Sequence, residues 1–389
     1  MVNPVSVIWD RTPILQHLLI VGAYTLLLQL PAVFWRKYVA VTALAALIYR
    51  LTLVEQHLTP GSQYLQAISF ASAYVYALDL FLVNEYPETT DYQPRKETLQ
   101  KVQDAPPFSR AKLDWAFRRS CYVNRGTGWV TASKTKLRAF TPIKSKIRFA
   151  LGIVAQTVLQ LVVAALGMKY ISRYNYVAQR GRDADFPSIF SEVSGPLELV
   201  LVATCMAFYT YAGLSLFFNT ASLFAVLCNI VDIEDYTPLF DMSKMFTSPP
   251  LKTFWNEAWH QLLYRSYSLC RALTDKLFGT SPSGKILAVY LTFLLNGTLH
   301  WFANTKMAWY RTSGDAAYRP MFLFLYWCVT LRVENRWNRF LAKRSIQLPK
   351  PVCVATAIVW FVVVQTPAAI VLFHDQLRAD MPMFIARSQ

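Results

Sequence analysis

Long apolar runs recur along this chain, separated by polar and mostly basic segments. They are Ile14–Ala32, Tyr38–Leu53, Tyr64–Val83, Ile147–Met168, Leu197–Phe217, Ile286–Asn304, Pro320–Leu331 and Pro351–Phe373. A helix needs roughly 20 apolar residues to cross a hydrocarbon core, and most of these runs approach or reach that length. Ala221–Val231 is apolar but short; it reads either as re-entrant or as extending a broken preceding helix. The pattern predicts an all-α, polytopic membrane bundle of about eight transmembrane helices, one membrane-embedded domain over residues 1–389. Asp10, Arg11 and Thr12-Pro13 precede the first run and no small-residue cleavage site follows it. That run is expected to be a retained span.

Composition sharpens this reading. Hydrophobic residues make up 54% of the chain and charged residues 16%, against about 25% charged in a soluble domain. The net charge of +16 sits mainly between the apolar runs. Residues 84–147 carry a dense basic set that includes Arg118, Arg119, Arg125, Lys134 and Arg138, and Arg332, Arg336, Arg339 and Lys343 follow the seventh run. Both segments read as cytoplasmic. With eight spans, both termini are expected in the lumen and Asp232–Lys285 on the cytoplasmic side. The basic stretch Lys169–Arg182 then falls on the lumenal side, against the rule. Residues 84–147 are too long for a simple connection and are expected to form interfacial helices interrupted at Pro106-Pro107. No nucleic-acid module is visible, so the charge is read as topology and contact with anionic membrane lipids. Cys121, Cys205, Cys228, Cys270, Cys328 and Cys353 show no paired spacing, and the five histidines are scattered. Neither a disulfide framework nor a metal site is expected. No internal repeat is visible, which counts against inverted-repeat transporters.

Two histidines suggest chemistry. His300 lies within an apolar run, where an imidazole is costly unless it faces a protein interior or wet cavity. Imidazole also titrates near neutral pH, which suits proton abstraction. Asn296 and His300 are spaced i,i+4, and Gly297 between them opens space for a neighbour or ligand. Helix–helix hydrogen bonding is the alternative reading. The sequon Asn296-Gly297-Thr298 lies inside the same run and is expected to be out of reach of glycosylation. The second histidine, His260, lies in the unusual stretch Asp232–Tyr267, with Asp241, Pro249-Pro250, Phe254, Trp255, Trp259 and Arg265. A helix from about Leu251 would put Trp255 and Trp259 on one face, and Asn256 and His260 on a neighbouring one. An aromatic interfacial helix with an incidental histidine fits as well as a catalytic one. His17, His57 and His374 match no motif and are read as structural or interfacial.

Taken together and in order, Pro238-Leu239-Phe240, Phe254-Trp255-x-x-x-Trp259-His260-Gln261-x-x-x-Arg265 and Gly297-x-x-His300 resemble the wax synthase-like branch of the membrane-bound O-acyltransferases. Arg125-Gly126-x-Gly128-Trp129 resembles a further motif of that branch. Asn256-Glu257-Ala258 departs from the Gly-Arg-Arg-like filling frequent there, as does Asn296, where serine often precedes the glycine. The resemblance implies a bundle with a central cavity around His300, entered by coenzyme A from the cytoplasm and by an alcohol through the membrane. It implies direct acyl transfer from acyl-coenzyme A to that alcohol, with His300 as general base and His260 as its partner. No acyl-enzyme is needed, so no Ser or Cys nucleophile is required. His260 or Asn256 would orient the thioester or donate to the developing oxyanion. Arg265 and Lys252 would meet coenzyme A phosphates, which the overall positive charge also suits, and Trp259 belongs to the same cofactor-binding segment. The compact length, the Asn84-Glu85 opening of the loop and the Pro238–Arg265 pattern are closest to fungal terpenoid and meroterpenoid O-acetyltransferases. That implies acetyl-CoA as co-substrate, a hydrophobic terpenoid alcohol as acceptor, no metal, and an endoplasmic-reticulum membrane. Two rivals stand beside it: a long-chain wax ester or sterol acyltransferase, and a transporter with a His260–His300 proton relay.

Overall fold

A computed structural model describes residues 13–53, 60–84, 87, 101, 103–121, 145–171, 193–230, 232–233, 236, 238–241, 250–259, 262–306, 318–360, 362–363 and 366. In chain order the helices are α1 (Pro13–Leu27), α2 (Arg36–Thr52), α3 (Pro60–Leu78, continued by a π-helical turn Asp79–Val83) and α4 (Arg110–Cys121). Then come α5 (Lys146–Ile171), α6 (Pro196–Leu227), and α7 (Pro250–Thr253, continued by a π-helical turn Phe254–Ala258). α8 (Leu263–Phe278), α9 (Pro282–Lys306), α10 (Arg319–Lys343) and α11 (Lys350–Trp360) complete the series. No strand occurs among the described residues.

Proline opens α1, α3, α6, α7 and α9. Its missing N–H costs nothing in a first turn, and its fixed φ already suits a helix. The α8–α9 junction shows the local logic. Gly279, at φ +59, ends α8, Ser281 Oγ accepts the Gly284 N–H at 3.1 Å, and Pro282 opens the next helix. A Cβ at Gly284 would lie 3.2 Å from the Gly279 carbonyl oxygen, so a larger residue there would have to push the turn aside by a few tenths of an ångström. α8 and α9 consequently pack along each other.

Four described helices are long and apolar enough to cross a membrane: Gln63–Val83, Lys146–Ile171, Pro196–Leu227 and Pro282–Lys306. Leu15–Leu27 and Pro351–Trp360 are apolar but shorter. The expected runs at Tyr38–Leu53 and Pro320–Leu331 are helical within α2 and α10. The chain is thus an all-α polytopic membrane protein, with four full-length spans among the described residues. The short apolar run after Phe217 extends the preceding helix, the second of the two expected readings, but without a break, since α6 continues to Leu227.

The contacts divide the chain into two compact units. The first comprises Met1–Leu58, Ser62–Lys136 and Leu262–Ala317. Its core is aromatic, with Tyr24, Tyr76, Phe81 and Trp115 fully buried. α4 lies on α1, where Thr25 Oγ1 donates to Ser120 Oγ at 3.2 Å. Gln29 Oε1 accepts the Phe108 N–H at 2.9 Å, which holds Phe108 at the uncommon φ of +61. Three basic residues of α4 are engaged inside the unit. Lys112 Nζ lies 4.8 Å from the Trp115 ring centroid, Arg118 pairs with Asp114 at 2.8 Å, and Arg119 is buried. His17 packs its ring 5.1 Å from Phe70. His57, His374 and Arg125-Gly126-x-Gly128-Trp129 lie outside the described residues.

The second unit comprises Thr59–Gly61, Leu137–Gln261 and Tyr318–Gln389. α5 and α6 pack lengthwise, and Gly167 admits Cys205 to within 3.4 Å of where a Cβ would stand. Their polar side chains pair with each other inside the unit. Gln160 Nε2 donates to Tyr211 Oη at 2.6 Å and Asn219 Nδ2 to Thr157 Oγ1 at 3.0 Å. Their outer faces carry Leu151, Leu159, Leu166, Leu197 and Phe224 uncovered by protein. Apolar outside and hydrogen-bonded inside is the arrangement hydrocarbon surroundings demand.

Candidate functional site

His300 sits one helical turn beyond Asn296 on α9. Asn296 is buried and donates back to the Thr292 carbonyl at 2.7 Å, and Thr298 does the same to Leu294 at 2.9 Å. Both polar groups therefore find an acceptor within their own helix, and the sequon is packed into a span. His300 Nδ1 is hydrogen-bonded to the phenol oxygen of Tyr64 on α3, in the same unit. The two rings are 5.9 Å apart and tilted by 41°. Tyr64, Ala67 and Ala303 form a buried cluster with Ile68, Trp301 and Phe302 against it, which holds the phenol beside the half-buried imidazole. Tyr64 was not singled out by the sequence motifs. The available signal was a phenol near the start of an apolar run, where a buried O–H requires a partner.

Arg265, on α8, departs from its expected place at a basic mouth. The residue is 3% exposed, and Nη1 donates to Asp79 Oδ2 at 2.9 Å. Its guanidinium also lies 5.4 Å from the Tyr76 ring centroid. The physical reason is Asp79, which opens the π turn after α3 and is completely buried, so it requires a cation beside it. Lys252, the other cation expected there, has an exposed side chain.

The motif segment belongs to the second unit. α7 begins at Pro250, but the next turn widens, and the Trp259 N–H reaches the Phe254 carbonyl at 2.7 Å. Trp259 itself is extended, at φ −87 and ψ 153. The expected i,i+4 face shared by Trp255 and Trp259 is thus corrected: the wide turn ends the helical register between them. Trp255 packs on Trp327 at 4.8 Å, while Trp259 stacks on Phe254 at 5.3 Å and meets Phe240 edge-on at 4.9 Å. Phe240 belongs to the Pro238-Leu239-Phe240 motif, and the neighbouring Asp241 N–H donates to the Ala258 carbonyl at 3.0 Å. These contacts join two motifs that follow one another along the chain. π turns recur at functional sites. The side chain of Asn256, and His260 itself, lie outside the described residues.

Glu334 is the second residue the motifs did not announce. Buried on α10, its carboxylate accepts the N–H of Leu251 at 2.7 Å and of Lys252 at 2.9 Å, satisfying the start of α7. Burial lifts the Glu334 carboxyl above its ordinary 4.5, and the two amide donors pull it back. The folded protein therefore keeps this proton to a higher pH than the unfolded chain. Stability should fall as pH rises from about 4.5 through the raised value, and Glu334→Gln should remove that slope. Glu334→Ala strands two amides and should cost about 1–3 kcal/mol for each. A melting series against pH in detergent checks both; a wild-type slope unchanged in Glu334→Gln rejects this account.

Cys270 is buried, and burial pushes its thiol up, away from the reactive thiolate. Among the described residues, no group of three or more His, Cys, Asp or Glu is placed to hold a metal.

Residues 236–326 match the model of the membrane bound O-acyl transferase family. The matched stretch runs from Tyr236 through α7, α8 and α9 into α10, and includes His260, Arg265 and His300. It supports that family for this chain, and with it an integral-membrane acyltransferase. No curated protein and no solved structure gives a significant match.

Proposed function

We propose that this protein is an O-acetyltransferase of the wax synthase-like branch, moving acetyl from acetyl-CoA to a hydroxyl of a terpenoid or meroterpenoid intermediate. The observation that carries the acyltransferase reading is the family match over 236–326, whose histidine His300 sits on a membrane-embedded helix with its ring held by a neighbour. The acetyl and terpenoid assignments rest on the motif pattern Pro238–Arg265 and the loop opening Asn84-Glu85.

In the mechanism, His300 accepts the hydroxyl proton as the alcohol oxygen attacks the thioester carbonyl carbon. The tetrahedral oxyanion then expels the thiolate, breaking the C–S bond, and the proton passes from His300 to sulfur. His260 and Asn256 are assigned to orient the thioester or stabilise the oxyanion. Lys252 and Trp259 are assigned to the coenzyme, with Lys252 offering an exposed cation to phosphate. The hydrophobic acceptor arrives through the lipid, in an endoplasmic-reticulum membrane whose anionic lipids meet the basic segments. Neither nucleic acid nor metal enters the reaction.

The test is a microsomal assay with radiolabelled acetyl-CoA or palmitoyl-CoA and a panel of terpenoid alcohols. Acetyl ester is the expected product. Ester from palmitoyl-CoA alone would replace this reading with a long-chain wax or sterol acyltransferase. Alcohol flux across the vesicle with no ester from either donor would replace it with a transporter.

A further inference from the structure

A general base in a membrane span has to meet two demands. Its lone pair must face the substrate, and the cation formed on taking the proton must be stabilised away from water. A neutral imidazole carries its hydrogen on one nitrogen only, so the partner of Nδ1 decides which nitrogen can act as base. Here that partner is the Tyr64 phenol, contributed by a different helix and seated among Ala67, Ala303, Ile68, Trp301 and Phe302. A phenol oxygen can donate or accept. Were it to donate to Nδ1, the hydrogen would sit on Nε2 and the ring would have no basic nitrogen left. When it accepts from Nδ1–H, the lone pair sits on Nε2. The bond then strengthens as the ring becomes positive, because a charged donor makes a stronger hydrogen bond than a neutral one.

We infer that Tyr64 is a positioning residue for His300: its phenol oxygen accepts from Nδ1–H, fixes the tautomer with the Nε2 lone pair, and stabilises the imidazolium formed during acyl transfer. The inference rests on the reading of His300 as base. The phenol keeps its own proton throughout, so the proton taken from the alcohol resides on Nε2 until sulfur receives it. Tyr64 is buried among Ala67, Ala303, Ile68, Trp301 and Phe302, and that packing limits rotation of the phenol that meets Nδ1. Tyr64 is thus assigned the orienting part that a carboxylate plays in Ser-His-Asp triads, with a neutral oxygen where a buried carboxylate would be costly.

The first readout needs no substrate. In the full chain labelled with ¹⁵N-histidine in lipid nanodiscs, the His300 resonances are assigned by their loss in His300→Ala. The expected pattern is a protonated Nδ1 and an unprotonated Nε2. The reverse tautomer overturns the inference. The second readout is turnover with acetyl-CoA and the alcohol accepted in the microsomal panel. Tyr64→Phe keeps the ring and should lower kcat about 10- to 100-fold, the loss of one hydrogen bond to a group that becomes charged, with KM for acetyl-CoA unchanged. The Nδ1 preference should weaken in the same variant. Unchanged kcat in Tyr64→Phe alongside an inactive His300→Ala overturns the role of Tyr64 and leaves the base assignment standing. Near-normal turnover in His300→Ala overturns both.

Discussion

Replacing His300 with alanine should lower ester formation by about 10²- to 10⁴-fold, the contribution of a positioned general base. An alcohol is a poor nucleophile while it keeps its proton, and within a span bulk water does not stand by to remove it. The remaining site would bind both substrates but lack a proton acceptor, so kcat should fall while KM changes little. The substitution suits the helix itself. Alanine has the highest helix propensity, α9 keeps its N-terminal Ser281 and Pro282, and Asn296 keeps its bond to Thr292. The variant should therefore insert and elute as the wild type does on size exclusion. A well-folded His300→Ala protein with near-normal ester formation would remove His300 from the chemistry. His260→Ala should also cut turnover severely, though less completely, since a partner that orients the thioester leaves the base in place.

The legible part of this protein follows from how its residues encode structure. Spans are written in continuous apolar runs, and α5, α6 and α9 lie where those runs lie. His300 was legible because an imidazole in an apolar helix is conspicuous, and its i,i+4 relation to Asn296 survives in α9. Tyr64, Asp79 and Glu334 were not. Each acts on a residue more than 80 positions away, and no local pattern records such a pairing. The Trp255–Trp259 face was misread for a different reason. Its spacing is helical, yet the π turn at Phe254–Ala258 adds a residue to the turn, and periodicity arguments assume that no residue is added. Arg265 was read as a contact for coenzyme A phosphates because it closes a motif segment that the resemblance assigns to the cofactor. Its burial depends on Asp79, an acid near the end of a distant span.

Asp79→Ala should be the most destabilising single change in the first unit, by about 3–5 kcal/mol, because it leaves a buried guanidinium without its counter-charge. Asp79 is 0% exposed, within the span Gln63–Val83, and pairs with Arg265 at 2.9 Å. A second buried cation is close by. Arg119 donates to the Tyr76 hydroxyl, and both guanidiniums lie over the Tyr76 ring, at 5.3 Å and 5.4 Å. The carboxylate thus balances Arg265 at an aromatic ring that also carries a second cation. Removing both partners is a different matter, since desolvation of an ion pair offsets most of its Coulomb attraction. Asp79→Leu combined with Arg265→Met should therefore be more stable than either single variant, a sign that additive losses cannot produce. The measurement is thermal unfolding of purified protein in detergent, monitored by loss of the monodisperse peak. A double variant as unstable as the sum of the singles would show that the two residues contribute independently, with no coupling between them to lose. Asp79→Ala melting with the wild type would show that Arg265 has no need of the carboxylate. The pair also fixes α8 to the π turn after α3, and α8 leads through the Gly279–Ser281 turn into the helix that carries His300. Loss of Asp79 should consequently lower turnover along with stability, and Asp79→Leu with Arg265→Met should recover stability without fully recovering turnover.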